Sequence, residues 1–369
     1  MANGFPPISP PRMGRRTGVR RLVENYFTAY NAARLNEACR LLAERVMRPG
    51  VRVGVSLAGA ISPTGLARAV LVPMMKAGFI DYMVSTGANL FHDLHYSLGY
   101  RLLRGRPDLD DVDLRKRGLV RIYDILVDFD TLLGTDAFCR DSMHDRTPSP
   151  IGTAELHHRL GRLARESERR LGLRDQGLLS AAYTCKVPIY TSSPGDSAIG
   201  MNLAALRLEG RGPVIDPSID VNETAAIVFD ATRGRGKSAV LILGGGSPKN
   251  FLLQTEPQIQ EVLGLGDAGH DFFVQITDAR PDTGGLSGAT PSEAVSWGKI
   301  DPAALPDTVV CYTDISIALP IVGAYLLECA PRRPLARLYE HRVELVEKLR
   351  RHAVKARRQM PRKGPSHRT

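Results

Sequence analysis

The residues best suited to covalent chemistry lie in GGLSGATPSEAVSWGKI, Gly284 to Ile300, which sets Lys299 beside the chain's only tryptophan, Trp297. Thr290, Pro291 and Glu293 read as a capping box with proline in the first helical turn, so a short helix is expected to start at Pro291. Gly298 favours a chain reversal that ends this helix after about two turns and leaves Lys299 just beyond it. An amine held against an indole in a poorly solvated turn has a depressed pKa, and a neutral amine can attack a carbonyl or imine carbon. The plain alternative is a solvated loop lysine. The capping box by itself accounts for Glu293.

A second chemical stretch is LILGGGSPKNFL, residues 241–252: a strand, three glycines, a serine in cap position and a proline at the first helical position. Glycines let a ligand approach the backbone, and a helix start offers free amides to a phosphate. The spacing is not GxGxxG, so a tight structural turn is the competing reading. HDLH puts His92 and His95 one helical turn apart. No third ligand accompanies them, so a polar wall is expected there and no metal. Asp314 ends an apolar run, where a carboxylate can meet a ligand hydroxyl or amine.

These residues need a scaffold, and the composition is ordinary for a soluble globular protein, long enough for one large α/β domain or two smaller ones. The net charge of +10 over 369 residues suggests a nucleic-acid binder until it is located. Residues 331–369 hold 13 Lys or Arg against three Glu, so the body is neutral. The basic tail has no interleaved aromatics to stack on bases, and nucleic acid is not the expected partner. The five cysteines are scattered and form no CxxC pair, so neither a zinc site nor a disulfide framework is expected. No apolar leader and no stretch near the roughly 18 apolar residues of a membrane span is present, and the expected location is the cytoplasm.

Residues 1–20 are rich in proline and arginine and are expected to form a flexible arm. One or two amphipathic helices follow over 21–47. Strands are expected at 51–57, 79–85, 186–192, 225–231, 238–244, 271–277 and 308–314, separated by helix-length spacers. The segment 101–174 is richer in charge and helix formers and reads as an insertion, with a long helix from Thr153 to Leu171. The predicted fold is a doubly wound, mostly parallel α/β sheet over 21–335. A charged helix over 336–358 comes next, ending in a disordered tail. In such sheets ligands bind beyond the strands' carboxyl ends.

GATPSEAVSWGKI, LILGGG, the glycine turns after the early strands and CYTDISIALPIV, taken in order, make residues 50–330 resemble the deoxyhypusine synthase family. The resemblance implies a Rossmann-type homotetramer with active sites shared between subunits. It implies that bound NAD oxidises spermidine and that the lysine of WGK, Lys299, holds the aminobutyl fragment as an imine before passing it to an acceptor amine. Trp297 and Glu293 would line the polyamine pocket. For NAD the implied residues are Thr86, Gly87 and Ala88, then Asp196, Gly245, Thr277, Asp278, Asp314 and Ile315; Gly59 to Ser62 match the first-strand loop loosely. The N-terminal arm would cover a neighbour's site entrance. The polyamine side departs from the family pattern: Phe91 and His92 replace adjacent glutamates, Met201 and Leu286 replace aspartates, and Asn250 replaces a histidine. The expected activity is NAD-dependent transfer of an aminoalkyl group from a polyamine to an acceptor amine. The alternatives are homospermidine synthesis from small diamines and a non-catalytic NAD-binding homologue.

Overall fold

Aliphatic and β-branched runs can be covered on both faces, and six of them build one parallel sheet. The computed structural model describes residues 7–143, 149–234, 236–266 and 269–359. The strands are β1 (Val51–Leu57), β2 (Tyr82–Ser85), β3 (Ile189–Tyr190), β4 (Lys237–Leu243), β5 (Phe272–Thr277) and β6 (Thr308–Tyr312). Their spatial order is β3-β2-β1-β4-β5-β6, with every neighbouring pair parallel. The chain winds outward from β1 in one direction and from β4 in the other, so a crevice opens between the loops after β1 and β4.

Strand alternation supplies two cores. Ala239, Leu241 and Leu243 of β4 join Val53, Val55 and Val274 under the helices Tyr30–Leu41, Val72–Lys76 and Ile315–Cys329. Val240, Ile242 and Phe273 face the other side. Five helices carry or brace the functional loops: α1 (Gly87–Ser97), α2 (Pro217–Arg233), α3 (Gly246–Leu253), α4 (Pro291–Ser296) and α5 (Leu338–Gln359). Of these, α2, α3 and α5 cover the second face.

The doubly wound parallel sheet expected from the sequence is present, with three differences in detail. Residues 225–231, expected as a strand, form the inner part of α2. Asp216 accepts a hydrogen bond from Ser218 N at 2.9 Å and Pro217 occupies the first turn, so a helix starts well upstream of the apolar run. Ala225 to Phe229 are all buried, because α2 lies between the sheet and α5, and a helix covered all round shows no polar face. The expected strand 186–192 shrinks to two residues, since Lys186 takes a left-handed conformation after the helix Leu178–Cys185 and Pro188 has no N–H to give. The insertion contains the long helix Thr153–Arg170, but also a small antiparallel sheet of Leu103–Arg104, Leu119–Ile122 and Ile125–Asp128.

The C-terminal helix is part of the body. Leu338, Leu345, Leu349 and Ala353 are buried in the second core, and Arg342 pairs with Glu155 and Glu223, each at 3.2 Å. Ahead of it, Arg333 reaches under the sheet to Asp81 at 2.8 Å. Residues 7–18 precede the first helix, Val19–Tyr26, without regular structure, and Tyr26 Oη donates to Arg12 O at 3.2 Å. The expected disorder of the last eleven residues concerns a segment that, beyond Gln359, lies outside the described residues, as does the start of the arm.

Candidate active site

The turn that carries Lys299 is built from local signals. Thr290 Oγ1 accepts from Glu293 N at 3.2 Å, and Glu293 Oε2 accepts from Thr290 N at 2.7 Å, so both halves of the capping box form. α4 stops at Trp297, and Gly298 takes φ +64°, the left-handed value that reverses the chain. A side chain at Gly298 would also strike Gln260, whose Oε1 lies 2.5 Å from where a Cβ would stand. Backbone clamps flank the lysine: Gln260 Nε2 donates to Gly298 O at 2.8 Å, and His270 N donates to Lys299 O at 3.0 Å.

Lys299 Nζ donates to Asn250 Oδ1 at 3.1 Å and stands 5.7 Å from the Trp297 ring centre. Partial burial lowers its pKa, and the Glu261 carboxylate opposes that shift. The amine opens on a cavity of about 510 Å³. Leu253, Pro257, Phe273, Leu286 and Trp297 form its apolar walls; Lys249, Asn250, Gln254, Glu261 and Glu293 are among its polar groups.

Two amines therefore share one cavity, and their hydrogen bonds separate their roles. Lys249 Nζ donates to Gln275 Oε1 at 2.9 Å, Ala289 O at 2.6 Å and Ser287 O at 3.4 Å, which uses all three ammonium protons. Burial pushes its pKa down to about 8, against the pull of Glu293 and with Lys299 adding to the shift. Such an amine is a clamp. It ties α3 to the glycine loop 284–289, and Gln275 Nε2 closes the same knot by donating to Gly244 O and Ser287 O, both at 2.8 Å. Gly245 is needed here, because a Cβ would lie 2.4 Å from Ser287 Cα. Lys299, with one acceptor and a lowered pKa, is the amine left available for chemistry.

The carboxyl edge of the sheet carries a second, smaller cavity of about 210 Å³, lined by Ala58 to Ile61, Asp278 and Thr313 to Ser316. Thr86 caps α1 by accepting from Asn89 N at 3.3 Å, and its hydroxyl donates to Gly59 O at 2.6 Å. The buried Asn89 donates to Gly59 O at 3.0 Å and so fixes the loop after β1. Asp314 caps the helix Ile315–Cys329, its Oδ1 accepting from Ser316 N at 2.6 Å.

The comparisons with known proteins bear on this pair of cavities. The sequence pattern described as deoxyhypusine synthase matches residues 21–326. The chain is 61% identical over 344 residues to a deoxyhypusine synthase-like protein of Nostoc sp. (strain PCC 7120), covering 93% of this chain and 90% of that one. The chain belongs to the deoxyhypusine synthase family. It is also 36% identical to the "Probable deoxyhypusine synthase 2" of Methanosarcina acetivorans, over 82% of this chain and 84% of that protein. A crystal structure of an Entamoeba histolytica protein, provisionally assigned as a deoxyhypusine synthase, shares the fold. Its TM-score is 0.52 at 12% identity, covering 88% of this chain and 99% of that one.

Of the residues that the family resemblance places around the substrate, Lys299, Asn250, Glu293 and Trp297 meet at one cavity, and Leu286 and Lys249 join them there. Trp297 is 64% exposed, so it offers its ring at the rim instead of shielding the amine completely. His92 is not among the residues lining that cavity. It lies on α1, its Nδ1 3.1 Å from His95 Nε2, and His95 Nδ1 is 2.7 Å from Thr135 Oγ1. Burial lowers the pKa of both rings, that of His95 to about 3.

Every residue assigned to NAD by the family resemblance falls at the carboxyl edge. Thr86, Gly87 and Ala88 follow β2, Gly245 follows β4, Thr277 and Asp278 end and follow β5, and Asp314 and Ile315 follow β6. Asp196 precedes the helix Ala198–Leu208, whose cap residue Ser197 packs on Gly87. Ser247, expected as the cap of α3, is instead inside the helix, which starts at Gly246; its hydroxyl donates to Ser192 Oγ at 2.8 Å.

Sequence reasoning missed Gln260, Glu261 and Gln275, and it placed Lys249 only at the end of the informative stretch 244–249 without its role as a clamp. A lysine within the apolar helix GSPKNFLL is a signal that could have marked Lys249. Gln260 and Glu261 sit on one turn of π-helix, Gln258–Val262, which has no sequence signature.

Proposed function

We propose that this protein is an NAD-dependent transferase that moves an aminoalkyl group from a polyamine or diamine to an acceptor amine through an imine on Lys299. The observation that carries this reading is the Lys299 amine: partly buried, lowered in pKa, bonded to one neutral acceptor and open to an apolar-walled cavity. Neutral Lys299 Nζ adds to the C=N carbon of the oxidised donor. The C–N bond to the donor's departing amine then breaks, and that amine leaves with the proton released by Lys299. The acceptor amine attacks the same carbon, Lys299 leaves as a free amine, and reduction of the product imine completes the transfer. Asn250 orients the attacking nitrogen by holding one of its N–H groups. The methylenes of the donor fit the walls of Leu253, Pro257 and Leu286, and the Trp297 ring face suits an ammonium at the rim.

The carboxyl-edge crevice suits NAD. At Gly59, φ +63°, the position of a Cβ has no atom within 4 Å, so the backbone is open on that side. Asp278 and Asp314 line the same crevice and would hold ribose hydroxyls there. When bound there, NAD supplies the hydride acceptor for the donor amine and the hydride donor for the product. Thr86, Gly87, Ala88, Asp196, Gly245, Thr277 and Ile315 complete the proposed contacts, and the family resemblance supports a homotetramer.

One observation favours a small diamine over a trication such as spermidine. Leu286 and Asn250 line the Lys299 cavity at positions where the family pattern carries an aspartate and a histidine. Each charge-assisted hydrogen bond lost there is worth about 1.5–3 kcal/mol. Following NADH absorbance with a panel of mono-, di- and triamines, together with product chromatography, tests the proposal. Amine-dependent NADH and a new secondary amine are expected. Tight NAD binding with no response to any amine would reject transfer in favour of a binding protein.

A further inference from the structure

The π-helical turn Gln258–Val262 is tied to the Lys299 turn through Gln260 and lends Glu261 to the cavity wall. Gln260 Nε2 donates to Glu256 Oε2 at 3.1 Å and to Gly298 O at 2.8 Å, so the turn is anchored to the peptide just before Lys299. Glu256 is buried, which makes that anchor firm. The next residue, Glu261, lines the cavity together with Lys299. Among the described residues its carboxylate has no hydrogen-bond or ion-pair partner. The cavity's other carboxylate is occupied, since Glu293 Oε2 accepts from both Thr290 N and Thr290 Oγ1, at 2.7 and 3.1 Å. Glu261 is nonetheless felt by the amine, because its charge raises the pKa of Lys299 against the effect of burial. Pro257, Leu253 and Trp297 line the same space with apolar surface.

An unpaired carboxylate, apolar walls and a reactive amine in one cavity match a ligand with a cation at one end, methylenes between, and a second nitrogen at the other. We propose that Glu261 selects the amine: it binds the distal ammonium of a donor whose reacting nitrogen lies at Lys299, so the cavity prefers diamines over monoamines of equal length. This rests on the reading of Lys299 as the imine-forming lysine. Glu261 is a specificity determinant that the capping box and the WGK turn do not reveal.

The test is equilibrium binding, which needs no turnover. The intact wild-type protein and its Glu261→Gln variant, both with NAD present, are titrated with 1,4-diaminobutane and with butylamine. The wild type is expected to bind the diamine about 10-fold or more tighter, the scale of one charge-assisted contact. E261Q should narrow that preference to about twofold while leaving butylamine affinity and the thermal midpoint unchanged, and Glu261→Asp should restore part of it. An unchanged diamine preference in E261Q overturns the proposal. So does a loss of turnover in E261Q with binding preference intact, which would make Glu261 a proton acceptor for Lys299. Failure to trap an imine on Lys299 with the preference intact would instead strike the transfer reading alone.

Discussion

Lys299 Nζ donates to Asn250 Oδ1 at 3.1 Å, which joins the end of the WGK turn to the helix that follows the three glycines. The bond is the only hydrogen bond that the amine makes among the described residues. Asn250→Ala should therefore leave the fold intact and reduce transfer by about 2–10-fold, the scale of one neutral hydrogen bond. Steady-state kinetics with the best amine donor measures this. A variant with wild-type kcat/KM would show that Asn250 does not orient Lys299.

Lys249 is expected to behave differently from its neighbour. Lys249→Met removes the donor shared by Gln275, Ser287 and Ala289 and leaves the oxygens of Gln275 and Ala289 without a donor, since Ser287 O still accepts from Gln275 Nε2. Denaturant unfolding should show a loss of about 2–3 kcal/mol, and the glycine loop 284–289 should become protease-sensitive. Stability within 0.5 kcal/mol of wild type, roughly the noise of a surface change, would contradict the clamp.

The sheet's amino edge should depend on one ion pair. Arg333 and Asp81 have side chains only 5% and 2% exposed, and the guanidinium also donates to Gly78 O and Val51 O, each at 2.7 Å. Removing one partner strands the other charge. Arg333→Ala should cost about 3–5 kcal/mol in chemical unfolding, whereas Asp81 and Arg333 replaced together should cost less than the two single changes combined.

Stability should also fall with rising pH because of Glu256. Burial pushes its carboxyl up to about 8, with Asp271 adding and Gln260 and Arg233 opposing. The folded protein thus keeps a proton that the unfolded chain releases near pH 4.5. This contribution is fully present below that pH and is lost as the pH climbs through about 8. Urea unfolding at pH 5 and pH 8 should differ by a term on the order of 3–5 kcal/mol that Glu256→Gln abolishes. Equal pH slopes for variant and wild type would refute it.

The difference between what the sequence discloses and what it hides is one of range. The α4 capping box and the reversal at Gly298 are set by neighbours within ten residues, so the turn that carries Lys299 was legible. The parallel strands β1, β4, β5 and β6 were legible because each is a short run rich in apolar and β-branched residues, set apart from the next by helix-length spacers. The run 225–231 deceived for the same reason: a helix with apolar neighbours on all sides loses the 3.6-residue rhythm. The Glu256–Gln260–Gly298 chain was hidden, because it depends on a π-helical turn meeting a residue 38 positions away. His92 falls at a position that the family pattern gives to the polyamine side, yet it does not line the cavity that holds Lys299.

Borohydride trapping tests the central claim most directly. The purified protein with NAD and a panel of amines is reduced, digested and mapped by mass. The account predicts a reduced aminoalkyl adduct on the peptide that contains Lys299, and none in Lys299→Arg, whose guanidinium stays protonated. The arginine variant should still bind NAD and form some NADH with the amine. Absence of any adduct on Lys299 across the panel, or full transfer activity in the arginine variant, would contradict the covalent mechanism and leave Lys299 an ordinary lysine in a tight turn.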